Sequence, residues 1–271
     1  MKYTDLTIDQ IDEELKSKYF VNVPVEFTNK QINSAMASFE KFLELPENIK
    51  SHIGFSISEK HRRGDVGYKS RKLEDDIYND SKEFFHYHPA ILKKYPEYIN
   101  ENKVVKNFPD EADSIWRHVD LILRHIFSEF DKKFTGVYSS IFDTQNPHIV
   151  VRFLQYNWNE SGKFLAKPHF DAGAFTFAIA ESCPGLRVGS CPDDNELVKH
   201  QDNKAIFMLS SNYIKLIDDN ELKPAWYDVV QMDETNIGKE FARWAIVAFI
   251  DAHGVEALLR SETHKWYNGE V

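Results

Sequence analysis

Apolar positions change rhythm near residue 147. Before that point they recur every three or four residues. Ile32, Ala35, Met36, Phe39, Phe42 and Leu43 would line one side of a helix that begins behind the capping pair Thr28 and Gln31 and stops near Pro46. Ile115, Val119, Ile122, Ile126 and Phe130 form a second stripe, predicting a helix from about Asp113 to Phe130 with Arg117, Arg124 and Glu129 on its other sides. Tyr19 to Phe27 alternates like a short strand. Ser51 to Asn107 keeps neither rhythm. It is basic across Lys60, Arg62, Arg63, Lys69, Arg71 and Lys72, then acidic across Glu74, Asp75, Asp76 and Asp80, and reads for the most part as a solvated loop.

After Pro147 short β runs follow one another at 149–157, 164–170, 174–181, 185–189, 204–209, 212–217, 225–231 and 242–251. Turn residues such as Asn159-Glu160-Ser161-Gly162 and Asp218-Asp219-Asn220 separate them, which predicts a barrel or jelly roll in place of a parallel α/β sheet. There is no Gly-rich phosphate loop, dinucleotide fingerprint, internal repeat or low-complexity linker. The expectation is one domain over 1–271, mainly β with flanking helices: a mainly helical region, 1–147, packed on a β core, 148–271.

Charge and length narrow the function. With 43 acidic against 33 basic residues the net charge is −10, which argues against a nucleic-acid binder because affinity for the phosphate backbone is built on Lys and Arg. No apolar run reaches the roughly eighteen residues of a membrane span, and Met1 to Gln10 has neither a signal-peptide core nor an Arg-rich transit pattern. A cytoplasmic protein with a small-molecule partner is expected, its two cysteines, Cys183 and Cys191, free thiols.

Two triplets, His118-Val119-Asp120 and His169-Phe170-Asp171, read His-x-Asp. Chance supplies about one such triplet in a chain of this composition, so context decides. On a helix, residues two apart point to different sides, which discounts His118 and Asp120. On a strand they share a face. His169 and Asp171 close a strand-like run ahead of Gly173, bringing imidazole and carboxylate together as in two-thirds of a two-His-one-carboxylate iron site.

Three ordered stretches, Val151-Arg152-Phe153-Leu154-Gln155-Tyr156-Asn157, Pro168-His169-Phe170-Asp171-Ala172-Gly173-Ala174-Phe175-Thr176-Phe177 and Pro184-Gly185-Leu186-Arg187-Val188, give the chain a resemblance to a known family. It resembles the isopenicillin N synthase-like branch of the 2-oxoglutarate and Fe(II)-dependent dioxygenases. Phe42 to Lys50, Val66-Gly67-Tyr68 and Asp80 to Phe85 look like that family's amino-terminal region, so the resemblance covers nearly the whole chain. It implies a double-stranded β-helix core. It also implies that His169 and Asp171 ligate Fe(II), and that Tyr156 and Arg243 bind the carboxylate of 2-oxoglutarate. Independently of family, Arg243 interrupts the apolar run Trp244 to Ile250, and an inward guanidinium there would seek a bidentate carboxylate, unless it reaches solvent at the strand end. Arg152 shares strand parity with Leu154 and Tyr156 and is either a cavity residue that meets an acidic substrate or half of a rim ion pair. Tyr68 and Arg187 join it as candidate substrate contacts.

Two departures from the family stand out. Its Arg-x-Ser is Arg243-Trp244-Ala245 here, without the hydroxyl that would give a second hydrogen bond to the carboxylate. Its second iron histidine corresponds to Tyr227, 56 residues after Asp171. Tyr227 either ligates as a phenolate, which requires the metal to displace a proton of pKa ~10 and favours Fe(III), or only packs beside the site. His200, His253 and His264 are the other candidates for a third ligand; His253 is ten residues from Arg243, about 33 Å of extended strand, too far if Arg243 lies beside the metal. The resemblance thus implies an oxidoreductase that oxidises a small organic substrate with O2, with or without 2-oxoglutarate. The competing reading is a binding or regulatory protein on a degenerate oxygenase fold.

Overall fold

The computed structural model describes residues 2–58, 61–71, 81–143, 147–157, 164–232 and 243–255. In chain order its elements are α1 (Ile8–Lys18), β1 (Phe20–Pro24), α2 (Asn29–Leu43), α3 (Glu47–Lys50), β2 (Gly54–Ser58), β3 (His61–Arg71), β4 (Lys82–Tyr87), α4 (Ala90–Lys94), α5 (Pro96–Glu101), α6 (Lys103–Lys133), α7 (Val137–Phe142), β5 (His148–Tyr156), β6 (Phe164–Phe170), β7 (Phe175–Glu181), β8 (Leu186–Cys191), β9 (Asp194–Leu197), β10 (Lys204–Leu209), β11 (Trp226–Val230) and β12 (Arg243–Asp251).

The predicted capping pair opens α2: Gln31 N–H donates to Thr28 Oγ1 at 3.2 Å, and Thr28 N–H donates back to Gln31 Oε1 at 2.9 Å. Helix α6 starts ten residues earlier than its apolar stripe suggests. Asn102 Oδ1 caps it by accepting from Val104 N–H at 2.8 Å, and Pro109 lies inside the helix in its second turn, where it removes one bond of the backbone ladder.

Two antiparallel sheets form the core. The larger runs β1-β10-β7-β12-β5-β4-β3-β2 and the smaller β6-β11-β8-β9. Helices cover the back of the larger sheet, where the rings of Phe39, Phe42, Phe85, Phe108 and Phe153 meet with centroids 5.1 to 6.0 Å apart. A second apolar cluster, including Leu154, Leu165, Leu186, Ile206 and Val229, lies between the sheets. This is the mainly β jelly roll with flanking helices that the sequence predicts. No helix among the described residues is long and apolar enough to cross a membrane.

Two expectations are corrected, and one strand is added. The stretch from Ser51 to Asn107 is not mainly a solvated loop: β2, β3 and β4 extend the larger sheet beyond β5, and α4 and α5 follow. Val66, Tyr68, Phe84, Phe85 and Tyr87 are buried there, apolar positions that the interleaved charges had concealed. The run 212–217 is no strand; Ser211–Lys215 forms a 3-10 turn, with Tyr213 buried and its hydroxyl donating to the Leu222 carbonyl at 2.6 Å. Strand β9, Asp-Asn-Glu-Leu at the sheet edge, has too little apolar alternation to be foreseen. Lys60, the run from Lys72 through Asp80, the turn Asn159 to Gly162 and His264 lie outside the described residues.

Candidate functional site

Strand register builds the site. On β12, Arg243, Ala245 and Val247 stand opposite Tyr156, Leu154 and Arg152 of β5, and these in turn stand opposite Lys82, Phe84 and His86 of β4. Directly paired residues share a face, so one set of alternate positions on three strands points into the space between the sheets. The smaller sheet answers with Tyr227 of β11 opposite His169 of β6. A cavity lined by Arg152, Tyr156, His169, Tyr227 and Arg243 lies between them.

At its edge, behind His169, Thr176 and Tyr227, the Asp171 carboxylate accepts the Tyr227 hydroxyl on Oδ1 at 2.7 Å and the Thr176 hydroxyl on Oδ2 at 2.5 Å. Burial would raise the carboxyl, but His169, Thr176 and Tyr227 together hold it below the usual carboxylate range. The effect on Tyr227 is the opposite: burial, then the charge and hydrogen bond of Asp171, push the phenol well above its ordinary value. Tyr227 is therefore a neutral donor. His169, at the cavity mouth, has Nδ1 2.5 Å from the Lys167 carbonyl; a proton on Nδ1 leaves the lone pair of Nε2, 3.7 Å from Asp171 Oδ1, for a ligand. His169 Nε2 and the Tyr227 oxygen thus both approach Asp171 Oδ1, at 3.7 and 2.7 Å.

The His169 imidazole and the Asp171 carboxylate fit a divalent metal by donor type. The phenol does not while it keeps its proton, and that proton is directed at the carboxylate oxygen a metal would use. No group of three or more His, Cys, Asp or Glu side chains suited to a metal occurs among the described residues.

Arg152 reaches the cavity as strand parity predicts. Its Nε donates to His86 Nε2 at 2.7 Å, and His86 Nδ1 donates to the Asp65 carbonyl at 2.9 Å. Burial, then the charge of Arg152, keeps the His86 pKa well below the ordinary histidine value, which suits it to accept. The guanidinium lies 4.8 Å from the Phe84 ring centre and 4.4 Å from that of Phe249. Among the described residues no carboxylate lies within ion-pair distance of it.

Arg243 is buried and inward, but it is already engaged. Its Nη2 pairs with Glu181 Oε2 and its Nε donates to the Cys183 carbonyl at 3.0 Å. On the other side of Glu181, His200 Nδ1 stands 3.3 Å from Oε1. Tyr156 lies directly opposite Arg243, with the Lys82 ammonium 5.6 Å from its ring centre.

Other candidates fall elsewhere. Tyr68 does not line the cavity; its hydroxyl donates to Glu83 at 2.5 Å beside Lys50. Arg187 points out of the barrel, since its neighbours Leu186 and Val188 point in, and it grips the fully buried Asp228 with bonds of 2.7 and 2.6 Å. Both are corrections to their assignment as substrate contacts. His118 and Asp120 have separate partners on α6: His118 Nδ1 donates to Ser114 O at 2.8 Å, and Asp120 accepts from Arg124 at 2.9 Å. His253 packs on His148 at 4.4 Å, whereas His200 lines the cavity at Glu181. Sequence reasoning missed Glu181, His86 and Thr176. Thr176 has the inward parity of a residue following the His-x-Asp turn; Glu181 does not, for a reason given below.

No protein-family model and no curated protein matches this sequence. Solved structures do match in fold. T7H of Neurospora crassa, in complex with alpha-KG, superposes with a TM-score of 0.70 at 15% identity over 97% of this chain and 89% of that one. The dioxygenase for auxin oxidation from rice gives 0.65 at 13% identity over 93% and 80%. Its Arabidopsis thaliana counterpart, a binary complex with 2-oxoglutarate, gives 0.65 at 13% identity over 95% and 92%. The chain has the fold of the 2-oxoglutarate and Fe(II)-dependent oxygenases.

Proposed function

We propose that the chain is a non-haem iron oxidoreductase acting on a small acidic organic molecule, with 2-oxoglutarate as co-substrate, in the manner of the isopenicillin N synthase-like branch that its motifs resemble. The observation that carries this reading is His169 Nε2 placed 3.7 Å from the half-buried carboxylate of Asp171 at the edge of an inward-facing cavity. The fold and the 2-oxoglutarate complexes of similar structures support it. His169 and Asp171 would hold the iron, with the Tyr227 oxygen at the third place once its proton is lost. When bound, iron supplies the activation of O2 that side chains cannot provide. Arg152, steadied from behind by His86, takes the anionic group of the substrate. Tyr156 and Arg243 are the residues for the 2-oxoglutarate carboxylate.

The test is anaerobic Fe(II) titration of the protein and of His169→Ala and Asp171→Ala, followed by an assay for succinate from 2-oxoglutarate. Loss of metal uptake in both variants supports the reading; uptake unchanged in both overturns it. A second reading, ligand binding without turnover, is favoured by one specific feature: the Tyr227 proton sits on the Asp171 oxygen that the metal would use. It predicts that small carboxylates bind and that no succinate forms with iron present.

A further inference from the structure

Strand β7 carries an irregularity that aims a carboxylate into the cavity. Ala178 stands opposite Val247 and Glu181 opposite Ala245, with the register of β7 and β12 shifting in between. Val247 and Ala245 both face inward, so Ala178 and Glu181 do too, although three residues apart they would point to opposite faces of a regular strand. Glu181 then meets Arg243, each side chain 4% exposed.

We propose that Glu181 is a built-in competitor for the carboxylate seat on Arg243, so that a carboxylate ligand enters this end of the cavity only by displacing it. The inference rests on the function proposed above, since it concerns the residue assigned there to the 2-oxoglutarate carboxylate. One guanidinium cannot hold two carboxylates in the same paired geometry; a ligand placed on Arg243 while Glu181 stays leaves one of the two carboxylates without that partner. Among the described residues the hydrogen bond that holds the glutamate comes from Arg243. His200 Nε2 lies 3.1 Å from the Ala178 carbonyl, to which it donates, and the buried Nδ1 that faces Glu181 has no hydrogen-bond partner among the described residues. With the proton on Nε2, a lone pair opposes the carboxylate, and the seat depends on Arg243.

The test uses metal-free protein and succinate, which carries the terminal carboxylate of 2-oxoglutarate but no keto oxygen for a metal. Calorimetric titration should show weak binding to the parent and at least ~10-fold tighter binding to Glu181→Gln, which keeps the shape and removes the charge. Glu181→Asp keeps the charge but withdraws it by one methylene, and should tighten binding less; it also serves if the glutamine variant folds poorly. Adding Arg243→Gln to either should abolish the gain. Equal affinity for parent, Glu181→Gln and Glu181→Asp overturns the proposal, as does a failure of all three to bind succinate. The Fe(II) titration of His169→Ala and Asp171→Ala is independent of this end of the cavity, so it decides the functional reading separately.

Discussion

At the scale of single residues the site turns on a proton shared between Tyr227 and Asp171. The folded-state pKa of Asp171 is depressed, so its contribution to stability is present above the unfolded value of about 3.9 and disappears as pH falls through the folded value. Urea unfolding of the parent and Asp171→Asn at several pH values should show a gap of roughly 1–3 kcal/mol at pH 7 that shrinks below about pH 4. A gap unchanged down to pH 3 would contradict an ionised Asp171. The Tyr227 pKa is raised, so the folded state holds this proton beyond the range where a free tyrosine ionises. Ultraviolet titration of metal-free parent against Tyr227→Phe should therefore reveal no extra tyrosinate up to about pH 10. An additional phenolate appearing near neutrality would reverse the assignment of Tyr227 as a neutral donor. His169, Tyr156, Arg152 and Arg243 were legible as cavity residues because each obeys strand parity, whereas Asp171 lies just past the end of β6 and was legible from the His-x-Asp spacing. What could not be read was the state of Tyr227, which depends on a carboxylate 56 positions away in sequence.

Elements explain the remaining misreadings. Glu181 was invisible because alternation from Thr176 and Ala178 places it outside, and only the shift in β7 returns it inside. Arg187 was misassigned for the opposite reason: its pairing with β11 is regular, and parity alone sends it outward to Asp228, which ties β8 to β11 next to Tyr227. Arg187→Ala and Tyr68→Phe should leave succinate and metal affinity within about two-fold of the parent in calorimetric titration. A ten-fold loss from either would return that residue to the site. The segment 51–107 hides strands because charge masks its alternation, and Gly67 is one backbone signal within it. Gly67 has φ +114°, and a Cβ there would lie 1.9 Å from the Ile53 carbonyl oxygen. Gly67→Ala should cost at least ~2 kcal/mol by urea unfolding, since β2 and β3 must part to admit the methyl. A neutral substitution would mean that this hairpin is not packed as described.

For the molecule as a whole, the site exists because two sheets face each other. The smaller brings His169 and Tyr227, the larger brings Arg152, Arg243 and Glu181, and the helical layer behind the larger sheet commits that sheet's other face to the cavity. The change of rhythm at residue 147 separates helices from strands in sequence, but the larger sheet crosses it, with β4 paired to β5. That pairing carries His86 to Arg152 and joins the amino-terminal half to the site. Central to this account is that His169 and Asp171 form two-thirds of a metal site whose third position is held by a protonated tyrosine. Anaerobic Fe(II) titration of the parent and three well-folded variants tests it most directly. The account predicts weak uptake by the parent, none by His169→Ala, undiminished uptake by His118→Ala, and at least ~10-fold tighter uptake by Tyr227→His, which supplies a neutral nitrogen donor. Uptake retained in His169→Ala, or no gain in Tyr227→His, would contradict it.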